Sequence, residues 1–243
     1  MKFSLIFKTE KDYFEVEYRN IIMSFIKKAV ESTGNYDKFY SDSAKKDYCF
    51  TVIFNNSKFY KNKIFLDKNE IKVIFSVDDR SVNKFILLNS LINQIDKKFH
   101  IKDGNSITLN KINMLKTDEV TSNKAIFRTS AGSSLCVREQ NRETNRSKYY
   151  TLEDSEFKDK LLYVVKRQLK KTEFSQQEID SLDINIIKSK KVVIKFYNQL
   201  IDSNVCIFEI KCSNRVLKYL HQSGIGSRTS CGFGMIELVT NDI

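Results

Sequence analysis

The chain has no proline and no tryptophan, only two histidines and seven glycines, and Lys or Glu interrupts every apolar run. No stretch therefore reaches the ~20 apolar residues that a membrane-spanning helix needs. The N-terminal MKFSLIFKTE holds a short apolar run, but it alternates like a strand and charge follows at once, too short a run for the core of a signal peptide. The expectation is a cytoplasmic protein with no membrane partner. The five cysteines (Cys49, Cys136, Cys206, Cys212, Cys231) are scattered, with no Cys-x-x-Cys pair, and only His100 and His221 could join them as ligands. Buried free thiols are expected, and no metal. Asp78 and Asp79 are adjacent, so in a strand they point to opposite faces, which disfavours a two-metal nuclease. No Gly-Lys-Ser/Thr occurs, and the one glycine cluster leads into a strand instead of opening a helix, so no nucleotide cofactor is expected.

What remains is a folded, basic, aromatic chain. Its 243 residues are 41% hydrophobic, with 18 Phe and 11 Tyr, enough to bury a large core. Lys and Arg number 41 against 30 acids, a formal charge of +11, which favours an anionic partner. A Lys-, Asn- and Ile-rich composition also follows from an AT-rich genome, which weakens that inference.

Periodicity organises the chain twice over. Strand character at 2–8 is followed by a helical pattern at 18–31 (Ile21, Ile22, Phe25, Ile26, Ala29, Val30), which Gly34 closes. Strands are predicted at 48–54, 63–66 and 70–77, a helix at 81–96, and a strand at 106–115. After a polar stretch at 117–123 come strands at 124–129 and 134–138, a charged link at 139–150, and a helix at 152–171. Strand-like runs at 183–189, 192–199 and 205–212, a short helix at 213–222 and a strand at 235–239 end the series. The predicted class is α+β, two tandem ferredoxin-like (RRM-like) β-α-β-β-α-β domains spanning 1–120 and 121–243.

Four of the seven glycines crowd into Gly224-Ile-Gly226-Ser227-Arg228-Thr229-Ser-Cys-Gly232-Phe233-Gly234. Glycine admits positive φ and close approach, and the hydroxyls and Arg228 add donors. The segment reads equally as a phosphate-cradling loop or as tight turns between a helix and a final strand. Elsewhere, Arg138, Arg146, Lys148, Lys190 and Lys191 stand out in the basic runs, with Tyr149 and Tyr150 as stacking platforms.

The terminal G-x-G-x5-G-F-G loop in a basic, doubly ferredoxin-like chain resembles the CRISPR-associated endoribonucleases that process repeat RNA, the sixth family of CRISPR-associated proteins. The resemblance is strongest over 219–239 and weaker at 124–138, where the proline often found there is missing. It implies binding of CRISPR repeat RNA by the loop and basic residues, and one metal-independent cut in the precursor. That cut uses attack by the 2′-OH and leaves a 2′,3′-cyclic phosphate and a 5′-OH. It also implies a monomer or homodimer that works with other subunits of a CRISPR effector complex. Family members commonly carry a histidine after the first helix, and the matching stretch, 35–48, has none. Tyr36, Tyr40, Lys45 and Lys46 are the candidate catalytic groups there. Unshifted Tyr and Lys titrate at roughly 10, so either needs its environment to lower that value before serving as a base. A subunit that binds repeat RNA without cutting it stays open as the alternative. An RRM-like RNA chaperone is disfavoured, since no RNP1-like motif lies on a central strand.

Overall fold

The computed structural model describes residues 1–41, 46–141, 143–144 and 146–241. In chain order the first half holds β1 (Lys2–Thr9), β2 (Tyr13–Glu15), α1 (Tyr18–Glu31), α2 (Tyr36–Tyr40), β3 (Tyr48–Ile53), β4 (Lys58–Phe59), β5 (Lys63–Phe65), β6 (Glu70–Val77), α3 (Lys84–Ile92), β7 (Lys98–His100) and β8 (Ser106–Leu115). The second half holds β9 (Lys124–Thr129), β10 (Val137–Gln140), β11 (Ser147–Tyr150), α4 (Phe157–Leu169), α5 (Gln176–Asp180), β12 (Asp183–Phe196), β13 (Gln199–Lys211), α6 (Asn214–Ser223) and β14 (Ile236–Thr240).

The main sheets have orders β3-β6-β1-β8-β7 and β12-β13-β9-β14. Within each β-α-β-β-α-β unit the four principal strands stand in spatial order second, third, first, fourth. The fold is therefore two tandem ferredoxin-like units, the first with β7 added at one edge. Alternation explains the first core. Phe3, Leu5 and Phe7 of β1 point with Val73 and Phe75 of β6 toward Ile22, Phe25, Ile26 and Ala29 of α1, and all are buried. The second core places Phe127, Phe208 and Ile210 against Leu161, Val165 and Leu169 of α4 and Leu217 and Leu220 of α6. The opposite face of β3 meets the second half through Cys49, which lies against Gly224, and Thr51, whose hydroxyl donates to the Ala131 carbonyl at 2.7 Å.

Four elements differ from the periodicity. The helix expected at 81–96 covers only Lys84–Ile92, because Asp96 takes a φ of 60° and donates to the Leu109 carbonyl, tying the chain to the sheet. The helix expected from 152 begins at Phe157, because Asp154 turns back to accept from the Thr151 N–H at 2.8 Å. The strand expected at 134–138 lies at Val137–Gln140, and the charged link beyond it is largely a hairpin pairing Arg138 with Tyr149. The separate strands expected at 183–189 and 192–199 are one long strand, β12, interrupted only by a bulge near Ile186–Lys188. It pairs with β13 through a two-residue turn, Tyr197-Asn198, both at positive φ. Among the described residues no helix is long and apolar enough to cross a membrane.

Of the two histidines, His221 lies inside the second half with its ring against Phe127, and burial pushes its pKa down to about 4. The Lys2 and N-terminal charges add to that, and Asp118 opposes them. Since the folded value lies below the ordinary 6.5, the unfolded chain binds a proton between those limits that the folded chain excludes. Stability is complete above pH 6.5 and falls as pH drops toward 4, by about 3 kcal/mol. Urea midpoints across that range are expected to flatten in His221→Gln relative to the parent. An equal acid loss in the variant would move the effect to other groups.

Candidate nucleic-acid interface

The glycine-rich segment joins α6 to β14, and its two ends are pinned inside the protein. The Ile225 N–H donates to the Gly234 carbonyl and the Gly234 N–H to the Ser134 carbonyl, both at 2.8 Å. Added Cβ atoms would lie 2.9 Å from the Cys49 Cβ at Gly224, 2.8 Å from the Cys136 carbonyl at Gly226 and 2.9 Å from the Phe50 ring at Gly232. Phe233 is fully buried, T-shaped against Phe196 at 5.6 Å. These glycines, then, are small because protein fills the space a side chain would need, and their main chain is not bare to solvent. The open reading of the segment resolves toward tight packing at its ends. Only the apex, from Ser227 to Cys231, reaches the surface.

That apex forms one wall of a cleft of about 390 Å³. Ser227, Arg228, Thr229 and Ser230 face Lys46, Arg138 and Gln140, and the cleft is closed by Arg167 and Gln168 of α4 and by Lys171 in the turn that follows it. Five cations line it, and no carboxylate does among the described residues. Such a site concentrates positive potential and draws a polyanion. The α4 contribution was within reach of the sequence, because 164, 167, 168 and 171 repeat at helical spacing on one face.

The apex is held by its neighbours. Arg228 takes the left-handed conformation, with φ 61° and ψ 32°, and its guanidinium donates to the Tyr149 hydroxyl at 3.0 Å while lying 5.0 Å over the Phe196 ring. Its Nε–H is buried and has no partner among the described residues, a donor that costs free energy while unmade. The Ser227 hydroxyl accepts from the Arg138 N–H at 3.2 Å, and Arg138 Nε donates to the Ser147 hydroxyl at 2.8 Å. Gln168 spans the loop base, donating to the Gly224 carbonyl at 2.8 Å and accepting from the Gly226 N–H at 3.2 Å. Arg19, on α1, is buried between the rings of Tyr18 and Phe233, each 4.7 Å away, and donates to the carbonyls of Gly232 and Gly132, each at 3.1 Å. Sequence reasoning missed it, since 213 positions separate it from Gly232.

Of the catalytic candidates, Lys46 reaches the cleft. Lys45 lies outside the described residues. Lys46 Nζ sits 4.2 Å from the centre of the Tyr40 ring, and Tyr36 stacks on Tyr40 at 5.3 Å. Partial burial lowers the Lys46 pKa, the direction that frees its amine, with Cys231 opposing. Burial pushes Tyr40 up to about 12, only partly offset by its hydrogen bond with Tyr48. Tyr40 therefore holds its proton near neutrality and is not a base. His221, inside the core, does not line the cleft.

The remaining basic candidates lie apart. Lys191 pairs with Glu153 at 2.9 Å and Asp202 at 3.2 Å, and Lys148 with Asp154 at 3.9 Å and Glu156 at 3.6 Å, so neighbours already offset their charge. Arg146 and Lys148 line a separate hollow beside the β10–β11 hairpin. Lys190 is exposed on β12.

A tandem ferredoxin-like fold with a basic cleft walled by a terminal glycine loop defines a narrow class of protein. The family model of the CRISPR-associated protein Cas6, C-terminal, matches residues 115–238, more than half of the chain, and the chain belongs to that family. A Cas6-related protein of Pyrococcus furiosus superposes with a TM-score of 0.79 at 20% identity, over 100% of this chain and 99% of that one. An RAMP protein binding different RNA substrates gives 0.80 at 19%, over 99% and 100%. A Cas6 product complex gives 0.64 at 11%, over 98% and 99%. At these identities the likeness is one of fold. A search of curated proteins gives no match.

Proposed function

We propose that the chain binds CRISPR repeat RNA in the cleft between the glycine-loop apex and α4, and cuts the precursor without a metal ion. The observation that carries this reading is the ring of Lys46, Arg138, Arg167, Lys171 and Arg228 with no carboxylate among them. In such a cut the ribose 2′-OH gives up its proton to solvent as its oxygen attacks the adjacent phosphorus, the 5′-oxygen leaves with a proton supplied to it, and the products are a 2′,3′-cyclic phosphate and a 5′-OH. Arg138 and Arg228 supply charge to the pentacoordinate phosphate. Lys46 moves the proton: with its pKa lowered, its ammonium gives a proton to the leaving oxygen more readily than a solvated lysine would. Tyr40 positions Lys46 beneath the cleft. We place the domain boundary at 120/121, between β8 and β9, and the catalytic unit as monomer or homodimer alongside other effector subunits.

The second reading, a subunit that binds repeat RNA without cutting it, is favoured by the absence of a histidine in 35–48 and by the raised Tyr40 pKa. Incubation in EDTA with a repeat-containing transcript, and with its 2′-deoxy version at the cut, separates the two. Cleavage of the ribose form alone supports the enzyme. Tight binding with neither cut supports the subunit.

Lys46→Ala is expected to slow single-turnover cleavage about 10²-fold or more, while Tyr40→Phe stays within a few-fold of the parent. If Lys46→Ala cuts at the parental rate, the proton passes through another group. Arg228→Ala is expected to weaken repeat-RNA affinity about tenfold or more and to reduce the salt slope by about 0.7, with the fold retained. Parental affinity and slope would remove Arg228 from the contact.

A further inference from the structure

Away from the cleft, β2, β5 and β4 form a small three-stranded sheet on the first unit. Its register pairs Tyr13 with Phe65 and Phe65 with Lys58, while Phe14 pairs with Ile64 and Ile64 with Phe59. Directly opposed residues share a face, so Phe14 and Ile64, both buried, mark the inner side. The outer side then carries Tyr13, Phe65, Lys58 and Lys63, and beyond the end of β4 Tyr60 closes the hairpin by donating its N–H to the Lys63 carbonyl at 2.9 Å.

These outer side chains form an aromatic and cationic surface. Tyr60 is 60% exposed and Phe65 42%, and their rings meet T-shaped at 5.4 Å. Tyr13 lies 6.4 Å from Phe65, with Lys63 Nζ at 3.8 Å and Lys11 Nζ at 5.6 Å from its ring. Among the described residues these three rings meet one another and, over Tyr13, the ammonium groups of Lys63 and Lys11, and a contiguous exposed aromatic patch marks a place where a partner binds. A second copy of the chain would bring Lys11, Lys58, Lys61 and Lys63 against their like. A strand of nucleotides meets them with phosphates and offers bases to the rings. Glu15, opposite Lys63, is the carboxylate on the same face, and Asp103 reaches Lys63 at 3.9 Å. A hollow of about 340 Å³ adjoins this sheet where its Asn62 turn meets His100, Lys102 and Lys195, with Glu15 and Glu17 also on its wall.

We propose that this outer face is a second RNA site, which holds a single-stranded segment by base stacking on Tyr13, Tyr60 and Phe65. It rests on the reading of the chain as an RNA-binding protein but not on the cleft or on cleavage. The face selects unpaired nucleotides by their exposed bases and carries no means of reading sequence.

The probe is labelled octauridylate bound to the full chain at low salt, with photocrosslinking from 4-thiouridine and peptide mapping. Crosslinks are expected within 58–65, and Tyr60→Ala with Phe65→Ala is expected to weaken binding about tenfold or more. Tyr60→Phe, which keeps the ring, is expected to bind like the parent. Arg228→Ala is expected to leave the 58–65 crosslink in place while weakening binding of repeat RNA, so failure of the cleft reading and failure of this one are read separately. Crosslinks confined to the cleft, or parental octauridylate affinity in the doubly substituted chain, would overturn the proposal. So would a change from dimer to monomer in that chain with RNA affinity unchanged, which would make the face a protein interface.

Discussion

Gly234→Ala is expected to destabilise the chain by about 4 kcal/mol or more, lowering Tm by roughly 10 °C. A Cβ at this position would lie 2.1 Å from the Ile225 carbonyl oxygen, and the next nearest atoms, the Ile225 carbonyl carbon at 3.1 Å and nitrogen at 3.2 Å, are backbone as well. That oxygen cannot swing away as a side chain would, because Ile225 and Gly234 are joined by a hydrogen bond and Gly234 is tied in turn to Ser134. Relief requires opening the segment, with loss of these bonds and of the packing of Phe233. Gly34 supplies a matched control, with the same φ of 69° and nothing within 4 Å of an added Cβ. Gly34→Ala therefore isolates the conformational cost, about 1 kcal/mol. Urea and thermal unfolding of both variants measure the difference. If Gly234→Ala falls no further than Gly34→Ala, the loop has room that the geometry denies it, and the glycines are free for another purpose.

The contrast bears on what the sequence could reveal. The glycine crowding located the loop that walls the basic cleft, but the crowding itself cannot say whether the missing side chains make room for a ligand or for protein. Here Cys49, Phe50 and Cys136, far off in sequence, take the space. Elements whose two faces differ strongly were legible: α1, β6, β8 and β9 lie where periodicity places them. The β12–β13 hairpin was not, for two reasons. Its turn residues, Tyr197 and Asn198, take positive φ without a glycine to announce it. Along β12, Ser189-Lys190-Lys191 looks like a break, yet the ladder runs straight through it, with Lys191 satisfied by Glu153 and Asp202 across space. Lys46 was legible as a candidate because the resemblance pointed to its segment. Nothing local distinguishes it from Tyr40, and the opposite pKa directions arise only from folding.

Arg19→Met is expected to lower stability by about 3 kcal/mol and to weaken repeat-RNA binding with it. Two effects compete. Burial lowers the Arg19 pKa, and no carboxylate among the described residues pairs with the guanidinium, so a shape-similar apolar side chain removes a desolvated charge. Against this, the buried Gly232 carbonyl loses a charge-assisted donor with none to replace it, at about 1–3 kcal/mol, while the carbonyl of the exposed Gly132 loses one that water replaces in part. The cation also loses its place between the Tyr18 and Phe233 rings. The carbonyl loss prevails because those two oxygens are the points where an N-terminal helix holds loops of the second unit. Arg19 touches no cleft residue's solvent face, so it is a positioning residue. Its removal is expected to lower RNA affinity and cleavage rate together while the pH profile keeps its shape, since Lys46, the proton donor proposed above, is untouched. Arg19→Lys is not expected to rescue, because a single ammonium cannot reach both carbonyls while lying flat between two rings. Full stability and parental RNA affinity in Arg19→Met would show that the guanidinium is merely tolerated, and that the loop apex is placed by its glycines alone.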